Sequence, residues 1–366
     1  YWDNVNKRLG IGTTIPSEKL EVNGNIRCTG DVTLSNGNAL RWTSDDVRIE
    51  GTTAGDKIQF YVGNSEILKL EQLGPLSTFT SNLAVTGRMA INDGNNNVSI
   101  GDNAGAAITT GTTNTLIGGL AGDALTTGVG NIAIGYESLS AETGSNSSVA
   151  IGKEALKNQN VGSGGAYNVA IGDGAGKEIT GALYNTLVGG QAGDAITTGS
   201  QNTAVGTFTL SANQEGKKNV AIGYGSLNAM NPSSALDTFN VAIGYHSGLS
   251  VTTGVQNTLI GGLAGDSLTT ANNNIAIGYL ALTTETSGGN NVAIGVTALQ
   301  QSNGGTYNVA IGRDAGQLIT TGSTNTLIGA EAGDALTTGD NNVALGYKAL
   351  SSEDIGNGSV AIGAFA

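Results

Sequence analysis

Cysteine occurs once in 366 residues, at Cys28, which excludes an intrachain disulfide framework and a cysteine-cluster metal site. Histidine also occurs once, at His246, so no mechanism that needs two histidines can operate within one chain. Three prolines are too few for a collagen helix or a proline-rich linker. Charged residues make up 12% and aromatics 5%, both low for a conventional globular enzyme. No apolar run approaches the roughly 18 residues of a membrane-spanning helix, so no membrane insertion is expected. The net charge of -13 argues against a nucleic-acid partner, which selects a basic surface. A mean hydropathy of -0.02 excludes a polar disordered tail. Against these scarcities stand 59 glycines, roughly twice the usual share of about 7%.

The glycines fall in a repeat. The pattern Asn-Val-Ala-Ile-Gly, with small variations, begins at Asn97, Asn114, Asn131, Ser148, Asn168, Asn185, Asn202, Asn219, Asn240, Asn257, Asn274, Asn291, Asn308, Asn325, Asn342 and Ser359. Thirteen of the fifteen intervals are 17 residues and the other two are 20 and 21, so sixteen units follow one another without a gap. A longer period lies over the first, because a Thr-Leu-Ile or Thr-Leu-Val variant recurs at every fourth unit (Asn114, Asn185, Asn257, Asn325). Both long units are the fourth of their set, around residues 158–167 and 228–239, and read as loops bulging from one edge of a stack.

Seventeen residues are too few for two good helices, and the unit lacks helical periodicity. They suffice for two short strands and two turns, which is one coil of a solenoid. The expected fold is therefore all-β: a parallel β-solenoid, or β-roll, of sixteen coils over residues 97–366, the last coil incomplete. Let the anchor asparagine be position zero. Position one is always Val, Ile or Thr, and position three is Ile in thirteen units; both are expected to point into the coil. Position four is Gly in all sixteen units, as a turn or a close backbone approach requires. Position seven is always Ala, Ser or Thr, and one large aliphatic side chain comes from position eight or eleven. Position two is Ala in eleven units, Leu in four and Ser in one. By strand alternation it is expected to face outward and meet another copy of the chain. That reading assigns Leu116, Ala133, Leu259, Ala276 and Ala344 to a subunit interface.

Residues 1–96 differ in character. They hold Trp2 and Trp42, two of the three prolines, and short alternating runs such as 31–34, 47–49, 57–62 and 83–85. Turn signals separate these runs, so a sheet-rich neck is expected, a thin segment without a clear core that makes best sense if chains intertwine. The chain opens at Tyr1 without a methionine and its last unit stops at position seven, so a longer parent protein is expected.

Residues with obvious chemistry are sparse. His246 has no counterpart in the other fifteen units and reads as an incidental turn residue. Asp123, Asp194, Asp266 and Asp334 recur in Ala-Gly-Asp. Four coils separate them, roughly 19 Å at about 4.8 Å per coil, too far for carboxylates to act in pairs. They read as solvated turn residues, and Glu285 as a turn residue indifferent to substitution. The anchor asparagines are expected to stack as a ladder. No catalytic residue, metal or cofactor is expected. Tyrosine follows the invariant glycine in five units, at Tyr136, Tyr224, Tyr245, Tyr279 and Tyr347. Exposed rings of this kind stack on sugars, which makes these five the candidate glycan contacts, with turn covering as the plainer role.

The run at 291–298, Asn-Val-Ala-Ile-Gly-x-x-Ala, resembles the repeat in the heads of trimeric autotransporter adhesins, β-rolls wound by three chains. The fuller unit at 114–128 and the segment at 9–24 are similar to sequences in bacteriophage tail-fibre proteins, and the longer unit favours that family. The resemblance implies a homotrimer serving as the structural, non-catalytic shaft of a fibre on the virion tail. Its implied partners are other tail or baseplate proteins and a host cell-surface glycan or protein. Alternatives are a trimeric adhesin head at the bacterial cell surface and a glycan-degrading tailspike.

Overall fold

The computed structural model describes residues 1–11, 13–15, 20–22, 47–50, 57–62, 69–71 and 95–366. The chain divides into two compact units, Tyr1–Arg88 and Met89–Ala366. Among the described residues every regular element is a strand. In the first unit β1 (Trp2–Asp3) pairs antiparallel with β2 (Arg8–Ile11), and β2 pairs parallel with β3 (Leu20–Val22). A separate antiparallel meander joins β4 (Val47–Glu50), β5 (Lys57–Val62) and β6 (Lys69–Glu71). The runs expected at 47–49 and 57–62 are thus strands; those at 31–34 and 83–85, with Cys28 and Trp42, lie outside the described residues.

The second unit is the solenoid that the repeat predicts. A single parallel sheet of sixteen strands runs from β7 (Val98–Ile100) to β24 (Val360–Ile362), in strict register from coil to coil. Each repeat strand is three residues long, because the glycine at position four ends it. There φ lies between 118° and 141°, a region that side chains avoid. From Gly101 to Gly346, a Cβ at this position would sit within 2.6 Å of the backbone of the next glycine in the stack. The invariant glycine is therefore set by coil-to-coil approach as well as by the turn.

The other side of the coil carries turns where a second strand was expected. Positions six and eight repeatedly adopt left-handed backbone, as at Glu137 (φ 54°) and Leu139 (φ 52°), which a strand cannot contain. Backbone bonds to the next coil still join these turns, for instance Leu139 N–H to Ala155 carbonyl at 3.0 Å and Leu299 N–H to Ala315 carbonyl at 3.0 Å.

The core occupies the face opposite to the expected one. Position two points inward: Leu116, Ala133, Leu259, Ala276 and Ala344 are all fully buried inside their own chain, packed with position seven and with the aliphatic side chain from position eight or eleven. These five are therefore core residues, and their assignment to an outward subunit interface is corrected. The physical reason is thinness. A coil one strand and one row of turns across has little room inside, so position two is alanine in most coils and the bulk there comes from the turn side.

The period of four coils follows from the same limit. A leucine at position two fits only where glycine stands at position eight in its own and the preceding coil. Leu116 fills the space beside Gly105 and Gly122, where added Cβ atoms would lie 2.7 and 2.9 Å from its methyl groups. Leu187 sits likewise between Gly176 and Gly193, Leu259 between Gly248 and Gly265, and Leu327 between Gly316 and Gly333.

The anchor asparagines form the expected ladder. Asn114 Oδ1 accepts the backbone N–H of Asn131 at 2.9 Å, while its Nδ2 donates to the Gly128 carbonyl at 2.8 Å. The same pair of bonds recurs at Asn257 and Asn325. Each buried amide thus satisfies one backbone group within its coil and one in the next. Of the two long coils, the first adds a parallel pairing of β10 (Ser145–Asn146) with β12 (Gly164–Gly165). The second is held by a bridge between Lys217 and Asp237 and an ion pair between Lys218 and Asp237.

Candidate functional site

Two surfaces of the solenoid offer contacts. The first is the outer face of the sheet. Because position two points inward, positions one and three point out, and they are the β-branched rows. Ile100, Ile171, Ile275, Ile311, Ile328 and Leu345 are each between 36% and 45% exposed. A stripe two side chains wide therefore runs along all sixteen rungs, aliphatic throughout at position three and in eleven coils at position one, where the other five carry threonine. Chain-internal packing leaves it uncovered.

The second surface is an aromatic edge. The glycine at position four turns the chain outward, and the residue after it projects from the coil. Tyr136, Tyr224, Tyr245, Tyr279 and Tyr347 are all exposed there. They do not form one continuous row. Tyr224 and Tyr245 stack in successive coils, centroids 5.8 Å apart, with Phe208 edge-on to Tyr224 at 5.7 Å and His246 against Tyr245 at 3.9 Å. His246, incidental by sequence, is therefore part of this four-ring cluster. Tyr347 meets Phe365 at 5.2 Å with Lys348 over its ring. Tyr136 and Tyr279 instead lie beside Gly119 and Gly262 of the preceding coil, covering bare backbone. Tyr167 and Tyr184, which precede their anchor asparagines, form a separate stacked pair at 5.7 Å.

The carboxylates are less solvated than the sequence suggests. Asp123, Asp194 and Asp334 each keep one buried oxygen without a hydrogen-bond partner, and burial raises their carboxyl pKa above the ordinary value. Asp266 differs, since the Thr283 hydroxyl of the next coil donates to it. Two glutamates are fully buried at position eleven. Glu142 Oε1 accepts the N–H groups of Thr143, Gly144 and Ser145, and its Oε2 accepts from Gln159 and Val161. Burial opposes its ionisation, but the bonds from Ser145, Val161 and Gln159 outweigh it and hold its carboxyl below the ordinary range. Glu285 plays the same part, accepting from Thr286, Ser287, Gly288 and Gly304 on Oε1 and from the Ser302 hydroxyl on Oε2. The expectation that Glu285 is an indifferent turn residue is thereby overturned. An open hollow of about 660 Å³ lies nearby, lined by Thr284, Gln300, Gln301, Asn303, Thr320 and Thr321.

Charge elsewhere is arranged in short ladders on the turn side. Lys157 bridges Glu137 at 2.5 Å and Glu154 at 3.6 Å, and Lys177 bonds Glu154 at 2.6 Å. Arg313 and Lys348 hold Glu331 in the same way. No group of three or more metal-ligating side chains occurs among the described residues, and no helix there is long and apolar enough to cross a membrane. No family model, no curated protein and no solved structure matches this chain.

Proposed function

We propose that this chain is the shaft of a homotrimeric phage tail fibre serving host attachment, a structural and non-catalytic part whose copies pack through the outer Val/Ile face. The observation that carries the reading is that face: an uncovered, mainly aliphatic stripe along all sixteen rungs. At on the order of 40 Å² of exposed apolar surface per side chain, its twenty-seven aliphatic positions present on the order of 1,000 Å². That exceeds what a lone soluble chain usually leaves bare and is enough for a stable interface. Identical copies fit it best, because every coil presents the same two positions in register, and three is the number that the resemblance of the repeat implies. The aromatic edge stays free in such an assembly and suits contact with host glycans, the Tyr224, Tyr245 and His246 cluster foremost.

Sedimentation of the purified chain tests the reading. A trimer is expected at micromolar concentration, and the pair Val292→Asp and Ile294→Asp should yield folded monomers with the solenoid intact. A wild-type chain that sediments as a monomer overturns it. Release of sugar from bacterial surface polysaccharide would instead favour the tailspike alternative.

A further inference from the structure

We propose that Asn303–Gly304 is a self-modifying site, at which the backbone nitrogen of Gly304 displaces the side-chain amide of Asn303. Four features meet there. Gly304 N–H donates to Glu285 Oε1 at 2.8 Å, so the proton of the nucleophile already faces a buried carboxylate. Asn303 Oδ1 accepts the Thr286 hydroxyl at 2.8 Å, which polarises the carbonyl under attack. Gly304 has no side chain to crowd its own nitrogen, and nothing lies within 4 Å of the place where one would begin, so that flank of the turn is open. Asn303 is exposed and lines the open hollow, which gives water entry and ammonia an exit.

The step balances without an added oxidant or reductant. The bond from Gly304 nitrogen to Asn303 Cγ forms as the bond from Cγ to Nδ2 breaks. The proton leaves Gly304 for the Glu285 carboxylate and passes on to the departing amide, which leaves as ammonia. The five-membered imide then adds one water and opens at either carbonyl, giving an aspartyl or isoaspartyl residue at 303. The result is a new carboxylate beside the hollow.

The chain contains its own control. Asn160 occupies the same place in an earlier coil, with the Thr143 hydroxyl on its Oδ1 at 3.1 Å and the next N–H on Glu142 Oε2 at 3.1 Å. There the next residue is Val161, whose branched side chain shields the nitrogen. Asn357–Gly358 has the opposite defect: the Gly358 N–H donates to the Asp340 carbonyl, so no carboxylate faces it.

Peptide-resolved mass spectrometry of the intact chain, incubated at 37 °C near neutral pH, follows the gain of about 1 Da and the isoaspartyl isomer. Residue 303 should convert about a hundred-fold faster in the folded chain than in urea, the modest end of what a positioned base supplies, while Asn160 stays unchanged. Glu285→Gln should remove that advantage, and Val161→Gly should confer conversion on Asn160, which keeps the test open if Glu285→Gln fails to fold. Conversion at 303 no faster in the folded chain than in urea, or unaltered in a folded Glu285→Gln variant, overturns the proposal.

Discussion

The side-chain amide of Gln159 donates to the hydroxyl of Ser148 at 2.9 Å and accepts from the amide of Asn168 at 2.9 Å, so it closes the gap that Ser148 leaves in the asparagine ladder. Both residues belong to one coil, eleven positions apart. The coil that starts at Asn291 has the reverse combination, an asparagine at position zero and Ser302 at position eleven. Gln159→Ala should therefore cost about 1–3 kcal/mol, the penalty of buried polar groups left unpaired. The pair Ser148→Asn and Gln159→Ser should recover most of that loss, measured by chemical denaturation.

The glycine stack makes a graded prediction. Gly295→Ala places a Cβ 2.3 Å from the Gly312 carbonyl, in a backbone region closed to alanine, and should cost more than about 3 kcal/mol. Gly363→Ala meets only Ala366 Cβ at 3.9 Å, so it carries the backbone strain alone and should cost less. Gly181→Ala has open space and should change stability within about 0.5 kcal/mol. The melting temperature should be lowest for Gly295→Ala, intermediate for Gly363→Ala and highest for Gly181→Ala.

Ala276→Glu and Ile277→Asp separate the core from the outer face. Ala276 is fully buried, so a carboxylate there lies unpaired in the solenoid interior and should cost several kcal/mol at any protein concentration. Ile277 faces outward, and its substitution should act on association while leaving the unfolding of the single chain close to wild type. Denaturation repeated over a hundred-fold range of concentration tells the two apart.

Acid should act on the chain in two opposite senses. Lys157, Lys177 and Lys348 hold Glu137, Glu154 and Glu331 below the ordinary carboxyl range, and hydrogen bonds hold Glu142 there. Their contribution is present above the unfolded value and is lost as pH falls through the depressed folded values. Asp123, Asp194 and Asp334 are raised, so their contribution is present below the unfolded value and is lost as pH rises through the folded one. Melting temperature should thus fall on acidification below about pH 4, where the lowered glutamates take up protons. Asp123→Asn should raise stability at pH 7, and Glu142→Gln should lower it by about 1–3 kcal/mol.

The repeat made the solenoid, the glycine column, the asparagine ladder and the alternation of the large core residue between positions eight and eleven legible in the sequence. The phase of the strand was misread, because alternation alone has two solutions and large β-branched residues suggest an interior. A signal for the right phase was present. Leu116, Leu187, Leu259 and Leu327 occur only where two glycines stand at position eight, and side chains that trade volume must share one space. The burial of Glu142 and Glu285 left no such mark, since an acid at position eleven looks the same in solvent as under a turn. The four-ring cluster was half visible: tyrosine after glycine could be read, whereas Phe208 and His246 join it only because position six bends back beside position five.

The in-register sheet sets how the solenoid responds to load. Its strands lie across the stacking direction, so tension along the stack strains the backbone bonds between one coil and the next, rung by rung. Each coil pulled away frees 17 residues, or about 55 Å of extended chain. A single chain drawn between two anchors would lengthen in near-equal steps, like tape leaving a reel, with two longer steps where the coils of 20 and 21 residues let go. The repeat lengths are thus also a mechanical ruler, written along the chain in the order in which it would give way from either end.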